Sequence, residues 1–298
     1  MFFGKGGLLQ TLFLPGYANA GADTSYQVVP SLAAEDVEVV VPSMETIQRF
    51  APKVWMVEGP VVSFYGFPYP TRMVVIQLTD GSAWIWSPIA LTEELASYIV
   101  KIVGPVKYIV SPNYLHWLFL KEWQEKFPEA KVFASPGLAK RKVAQDVNFF
   151  ADLTSDARFE FSSDIDHIIF EGGVMDEVVF FHKSSRTVIF CDLIQRHFED
   201  DQVGWKGWLM RSDGLVGPMG STPKEWSFVF WLHGLLPKAR LTLNVILEEW
   251  KPEGMIIAHG EVAPSGACVI IENSLSWIPK DTSKSCWCCS PKTSHEAT

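Results

Sequence analysis

The stretch KYIVSPNYLHWLFLKEWQEKFPEAKVFA, residues 107–134, decides the fold class. Lys107–Val110 is a short run of strand formers, and His116–Phe127 carries apolar residues at helical spacing. Lys131–Ala134 is a second apolar run. Strand, helix and strand in this order form a βαβ centre. Outward from it, Arg72–Leu78 and Ala83–Ser87 flank Thr79-Asp80-Gly81-Ser82 and read as two strands joined by a turn at Asp80-Gly81. Thr92 has the character of an N-cap, with Glu93 and Glu94 in the first turn and Leu95, Ile99 and Ile102 at helical spacing. The pattern predicts a helix over Thr92–Val103, stopped by Gly104-Pro105.

On the other side, Gly137–Gln145 reads as a short basic helix. Asp166–Phe170, Glu177–His182 and Thr187–Cys191 read as strands. Leu241–Trp250 is a helix ended by Pro252 and Gly254, and Met255–Ala258 is a last buried strand. Hairpins around a βαβ centre predict a layered α/β domain with mixed sheets. A doubly wound nucleotide fold does not fit, because Gly4-Lys5-Gly6-Gly7 has no strand before it. There is no internal repeat of fixed period.

Composition narrows the function classes. The chain has 298 residues, 48% apolar and 13% aromatic, which excludes disorder for most of its length and removes the need for a disulfide or metal staple. Twenty-five Lys and Arg against 34 Asp and Glu give a net charge of −9, with no long basic run, so nucleic acid is not an expected partner. No window offers the roughly 18 consecutive apolar residues of a transmembrane segment. Met1–Ala22, with one Lys, no acid and Ala18, Ala20 and Ala22, suits a targeting peptide about as well as an irregular arm. The compartment stays open, with plastid and cytoplasm both admitted. Cys191 and Cys268 lie in apolar runs, whereas Cys286, Cys288 and Cys289 crowd the polar end, which is no disulfide framework. The expected organisation is an N-terminal arm or targeting remnant over 1–50, a domain over 51–279 and a flexible Cys-containing tail over 280–298. Within the domain, residues 203–231 form a Trp-rich insertion that suits a lid, a packed surface or a protein-interface anchor.

Ligands of layered α/β proteins gather where strands end. His116 follows the strand Lys107–Val110, Asp192 directly follows Thr187–Cys191, and His259 follows Met255–Ala258. Two imidazoles and a carboxylate can ligate a first-row metal if these ends converge. Each also has an ordinary use, as a helix pin, an acceptor for loop N–H groups or a buried hydrogen-bonded histidine. His182 and Arg186 form a second pair. They suit either an anionic substrate or, for Arg186, bracing of a carboxylate such as Glu177.

Ile109–His116, Val188–Asp192 and Ile256–Gly260 resemble three successive motifs of the metallo-β-lactamase superfamily. Pro112-Asn113-x-x-His116, Ser135-Pro-Gly-Leu138, Glu177-Val-Val-Phe-Phe-His182-x-x-Ser-Arg-Thr187 and Ala258-His-Gly260 are similar to a family of that fold classed as a domain of unknown function. That family occurs in bacteria and photosynthetic eukaryotes, and the likeness runs from about Val54 to Trp277. It implies a four-layer αββα sandwich of two mixed sheets with a metal site at one edge. Members of the superfamily hold one or two Zn or Fe ions and hydrolyse thioesters, lactams, lactones or phosphodiesters.

Carried over residue by residue, the superfamily's His-x-His-x-Asp-His loop falls on Ser111, Asn113, Leu115 and His116, so only its last ligand is present. Asp192 falls on the bridging carboxylate and His259 on the last histidine, while the middle histidine would fall near Gly173. The resemblance therefore implies at most one Zn or Fe ion, held by His116, Asp192 and His259, and equally admits none. It leaves Asn113 to orient substrate and Glu261 or Glu177 to accept a proton. The expected function is a divergent metal-dependent hydrolase of an ester-, thioester- or phosphoester-like bond in a small-molecule substrate. The alternative is a metal-free pseudoenzyme that serves as a binding or accessory subunit for a protein partner.

Overall fold

Val74, Ile76, Trp84 and Trp86 alternate along their strands with Met73, Val75, Ala83 and Ile85, and all eight are buried. Successive side chains of a strand point to opposite faces, so these strands are covered on both sides. The computed structural model describes residues 27–28, 46–64, 67–199 and 204–280. Its larger sheet contains β1 (Gln27–Val28), β2 (Ile47–Ala51), β3 (Val54–Phe64), β4 (Phe67–Gln77), β5 (Ala83–Trp86), β6 (Val106–Val110), β7 (Lys131–Ala134) and β8 (Ala151–Asp152). The order is β1-β3-β4-β5-β6-β7-β8, with β2 also on β3. Pairing is antiparallel as far as β5 and parallel from β5 to β8. The smaller sheet has the order β12-β11-β10-β9, from β9 (Ile165–Phe170), β10 (Glu177–His182), β11 (Thr187–Ile189) and β12 (Gly254–Ile256). Only its β11–β12 pair is parallel.

Two apolar clusters follow from this alternation. The inward faces, with Val74, Trp84, Trp86 and Tyr108 from one sheet and Val178, Phe180, Ile189 and Ile256 from the other, meet in a single inter-sheet core. The outward faces collect in a second cluster with the helices. Leu95 and Ile99 of α1 (Glu93–Ile102) and Leu120 and Trp123 of α2 (Leu120–Lys126) join Val75, Ile85 and Ile109 there. Met255 of β12 and Ile257 just after it share that cluster with Ala239 of α5 (Leu236–Asn244) and Ile271 of α6 (Ala267–Ser274). Between α2 and α5 lie α3 (Gly204–Ser212) and α4 (Lys224–Leu232). The protein is thus a mixed α/β fold with two mixed sheets. Among the described residues, no helix is long and apolar enough to cross a membrane.

Several local expectations hold and others shift for identifiable reasons. Thr92 caps α1, its side chain accepting from Leu95 N. The helix expected from His116 starts only at Leu120, because the Ser111 hydroxyl, 2.7 Å from Asn113 O and 2.8 Å from His116 O, holds the intervening chain in turns. Gly137–Gln145 is two 3₁₀ turns, Leu138–Lys140 and Lys142–Ala144, separated by Arg141 in extended conformation. The helix expected from Leu241 begins earlier, at Leu236, with Pro237 in its first turn. It then widens to a π-helix over Val245–Trp250 and stops at Lys251, whose φ is 48°. β2 pairs with β3, so Ile47–Phe50 of the expected arm form sheet. The rest of that arm, apart from Gln27, Val28 and Thr46, and the tail beyond Lys280 lie outside the described residues.

Candidate metal centre

His116 is supplied by the larger sheet. The turn after β6 is fixed by Asn113, whose Oδ1 accepts from Leu115 N at 2.8 Å, and the imidazole Nδ1 lies 2.7 Å from Ser87 Oγ just past β5. Asp192 and His259 come from the smaller sheet, past the ends of its adjacent parallel strands β11 and β12. The turn carrying Asp192 is gripped from below. The N–H groups of Cys191, Asp192 and Leu193 all donate to the fully buried Glu177 carboxylate at 2.8 Å. Burial, and then the Asp192 charge, push Glu177 up to about 8 against those three donors.

His259 Nδ1 lies 2.9 Å from Pro70 O. A carbonyl only accepts, so Nδ1 carries a proton, and Nε2 is the ring atom turned toward Asp192. Behind it, Gly260 has φ 101°, and a Cβ there would fall 2.0 Å from Arg196 O. Only glycine lets this segment lie against Arg196, whose N–H reaches His259 O at 3.3 Å.

The three side chains converge. His259 Nε2 is 3.0 Å from Asp192 Oδ1, and His116 Nε2 is 3.4 Å from Asp192 Oδ2. Burial raises the Asp192 carboxyl, but the facing imidazoles of His116 and His259 outweigh it and hold the group well below the usual carboxylate range. One donor atom from each residue lies within 4.8 Å of the others. Bonds of about 2.0–2.2 Å to a tetrahedral ion would separate neighbouring donors by about 3.3–3.6 Å. The two ring-to-carboxylate spacings lie near this range, each to a different oxygen of Asp192. Each distal ring nitrogen is also tied to an oxygen, the arrangement that orients metal-bound histidines. The residues therefore fit one ion. Beside them Asn113 Nδ2 donates to Asp192 Oδ2 at 2.7 Å, and an amide N–H cannot ligate a cation. Among the described residues this is the one group of three or more His, Cys, Asp or Glu with metal-holding spacing.

A cleft opens over the triad. Its walls are Val62, Pro88, Leu115, Leu118 and Phe119, with Tyr69, Thr71, Ser87 and Gln195 as polar members. The Tyr69 ring meets the His259 ring edge-on, with centroids 4.9 Å apart. Sequence reasoning passed over these four polar residues. Ser87 stands at a strand end and could have been found by that rule, whereas Tyr69 sits between Pro68 and Pro70 and gives no such signal. Asn113 is buried against Asp192.

The remaining candidates do not line the cleft. Glu261 is half exposed and faces Arg196 Nη2 at 3.5 Å. His182 lies at the far end of β10 from Glu177, about 16 Å along the strand at 3.3 Å per residue. Its Nδ1 is 2.7 Å from Ser185 Oγ and its Nε2 3.2 Å from Ser184 Oγ. Arg186 braces Glu253 at 2.9 Å and Lys251 O rather than Glu177, whose carboxylate is taken up by the backbone of 191–193.

Comparison with solved structures places this architecture. A DIM-1 metallo-β-lactamase structure, exposed to ceftazidime, is 16% identical with a TM-score of 0.53, covering 81% of this chain and 98% of that one. A metallo-β-lactamase from Hirschia baltica is 13% identical with a TM-score of 0.51, covering 78% and 98%. The TMB-1 structure is 15% identical with a TM-score of 0.51 over the same shares. The common property at these identities is the metallo-β-lactamase fold. No curated protein matches the sequence. A family model matches residues 52–200, half the chain, and with it the segments that carry Asn113, His116, Glu177 and Asp192. The chain therefore belongs to the family described as Domain of unknown function (DUF4336).

Proposed function

We propose that the protein is a metal-dependent hydrolase with a single-ion site that acts on neutral acyl compounds, esters or thioesters, of small-molecule size. The observation that carries this reading is the meeting of His116, Asp192 and His259 within 4.8 Å beside a partly apolar cleft. These three residues would hold one Zn or Fe ion. Such an ion, when bound, supplies Lewis acidity toward a carbonyl oxygen and a nucleophile at neutral pH. Asn113 fixes the Asp192 carboxylate, while Ser87 and Pro70 O fix the two rings.

The cleft lining favours acyl over phosphoryl substrates. It includes no Lys or Arg, and sites for phosphoester oxygens are ordinarily built from those cations. Val62, Leu115, Leu118 and Phe119 suit a short hydrocarbon chain, and Thr71 and Gln195 offer hydrogen bonds to orient the polar end.

The test is elemental analysis of the full chain purified with Zn and Fe present, combined with hydrolysis of p-nitrophenyl acyl esters, acyl thioesters and bis-p-nitrophenyl phosphate. The expected result is about one ion per chain, acyl hydrolysis above phosphodiester hydrolysis, and loss of both ion and activity in His259→Ala. A chain that takes up no ion and hydrolyses none of these substrates supports the accessory-subunit reading instead, whereas ester hydrolysis that survives His259→Ala would overturn the role given to the triad.

A further inference from the structure

Gln195 is only 4% exposed, yet it lines the cleft over the triad. Its main chain is pinned on both sides. Gln195 N–H donates to Ser221 O at 3.0 Å, and Ser221 N–H returns to Gln195 O at 3.1 Å. The side chain has one internal partner. His197 Nε2 lies 3.0 Å from Gln195 Oε1, and an amide oxygen only accepts, so the imidazole donates and holds that oxygen. His197 is itself buried, with its ring edge-on to Tyr69 at a centroid distance of 6.2 Å. The other end of the amide is uncommitted. Among the described residues nothing accepts from Gln195 Nε2, and the nitrogen is open to the cleft rather than sealed in protein.

Nearby polar members of the cleft are spent differently. Thr71 Oγ1 donates to Pro60 O at 2.8 Å, so toward the cleft it can only accept. Ser87 Oγ is engaged with His116. Asp192 lines the same cleft, and an amide that shares a cleft with an anion turns its N–H groups there in preference to a second oxygen. The lining includes no Lys or Arg. A pair of amide donors with no cation beside it matches a neutral oxygen better than a carboxylate or phosphate.

We propose that Gln195 recognises the carbonyl group of the acyl substrate by donating an amide N–H to its oxygen, and that His197 is a positioning residue that fixes which end of the amide faces the cleft. The assignment rests on the acyl reading of the cleft and adds to it the group that is recognised. Cleft sites of this kind take their specificity from a few fixed polar groups among apolar walls. Here Val62, Leu115, Leu118 and Phe119 are the apolar walls and the held amide is the fixed group.

Methyl pentyl ketone tests this without hydrolysis, because its carbonyl oxygen accepts as an ester's does but it carries no leaving group. The ketone is titrated into the isotope-labelled, metal-free full chain. The side-chain amide signals of Gln195, identified by their absence in Gln195→Leu, are followed by NMR. The expected result is a saturable downfield shift of one amide proton, and ketone binding roughly three- to tenfold weaker in Gln195→Leu. His197→Phe should lose that shift while its circular dichroism is unchanged, and Gln195→Leu keeps the test in force if His197→Phe fails to fold. Amide signals that stay still at saturation, or equal ketone affinity in Gln195→Leu, overturn the proposal. A shift that survives in His197→Phe overturns the positioning role. A parent chain that binds no ketone overturns both this assignment and the acyl reading. Ketone binding through Gln195 in a chain that hydrolyses no ester upholds the assignment and overturns only the hydrolase.

Discussion

Asn113 donates its side-chain amide to Asp192 Oδ2 at 2.7 Å, so the buried carboxylate at the heart of the site leans on a neutral partner. Truncating that partner leaves a charged acceptor short of a donor and also frees Leu115 N. Asn113→Ala should cost about 1–3 kcal/mol. The midpoint of urea unfolding reports it, and an unchanged midpoint would show that water replaces the amide at no cost.

Ser87 touches the cleft but contributes through His116, whose Nδ1 it holds at 2.7 Å. Outer partners of metal-binding histidines are typically worth roughly 10–100-fold in affinity. Ser87→Ala should therefore weaken Zn binding by roughly tenfold or more, with little change in the unfolding midpoint of the metal-free protein. Competition against a chromophoric chelator measures it. Equal affinities would mean that His116 needs no orienting partner.

Glu177 gives a sharper test of how the site is supported. Both of its oxygens receive backbone N–H groups, so in Glu177→Gln the new amide must face a donor whichever way it turns. We expect a loss of about 2–3 kcal/mol, together with weaker metal binding as the turn carrying Asp192 loosens. Calorimetry with and without Zn separates the two effects. A variant as stable as the parent would refute the clamp.

His182 sets a pH dependence. Burial holds its imidazole down to about 4, although Asp164 attracts its proton. The unfolded chain, with a pKa near 6.5, binds the proton first as the solution is acidified. Stability from this group is therefore present above about pH 6.5 and is lost as the pH falls toward 4. His197, also lowered to about 4 by burial and by His259, acts with the same sign. His182→Asn should flatten, without abolishing, the fall in Tm over that window, as followed by scanning calorimetry. A slope identical to the parent's would assign the effect elsewhere.

Much of this architecture was legible from period and punctuation. The alternation at Val74–Ile76 and Ala83–Trp86, the Asp80-Gly81 turn and the Thr92 cap each obey a local rule, and each is where that rule places it. β3 was harder to see, because Glu58-Gly59-Pro60 interrupts an 11-residue strand, and the pairing shifts between Glu58 and Val61. Pro and Gly ordinarily mark a strand's end, and here they mark an irregularity within one. The helices α3 and α4 were hidden in the same way by glycine and tryptophan. For the site, the strand-end rule singled out His116, Asp192 and His259, whereas the groups that orient them were mostly invisible. Pro70 O is a backbone atom 189 residues from His259, and no side-chain pattern encodes it.

His116 is carried by one sheet, and Asp192 and His259 by the other, so the three candidate ligands become neighbours only after both sheets have closed on their shared core. The candidate site belongs to the seam. A fragment ending before β9 would inherit a full sheet and one imidazole, and a fragment starting there would inherit the other two ligands, but neither would own a binding site. Assembly of the seam must therefore come before any loading of the protein, and whatever pries the layers apart disarms it in a single step.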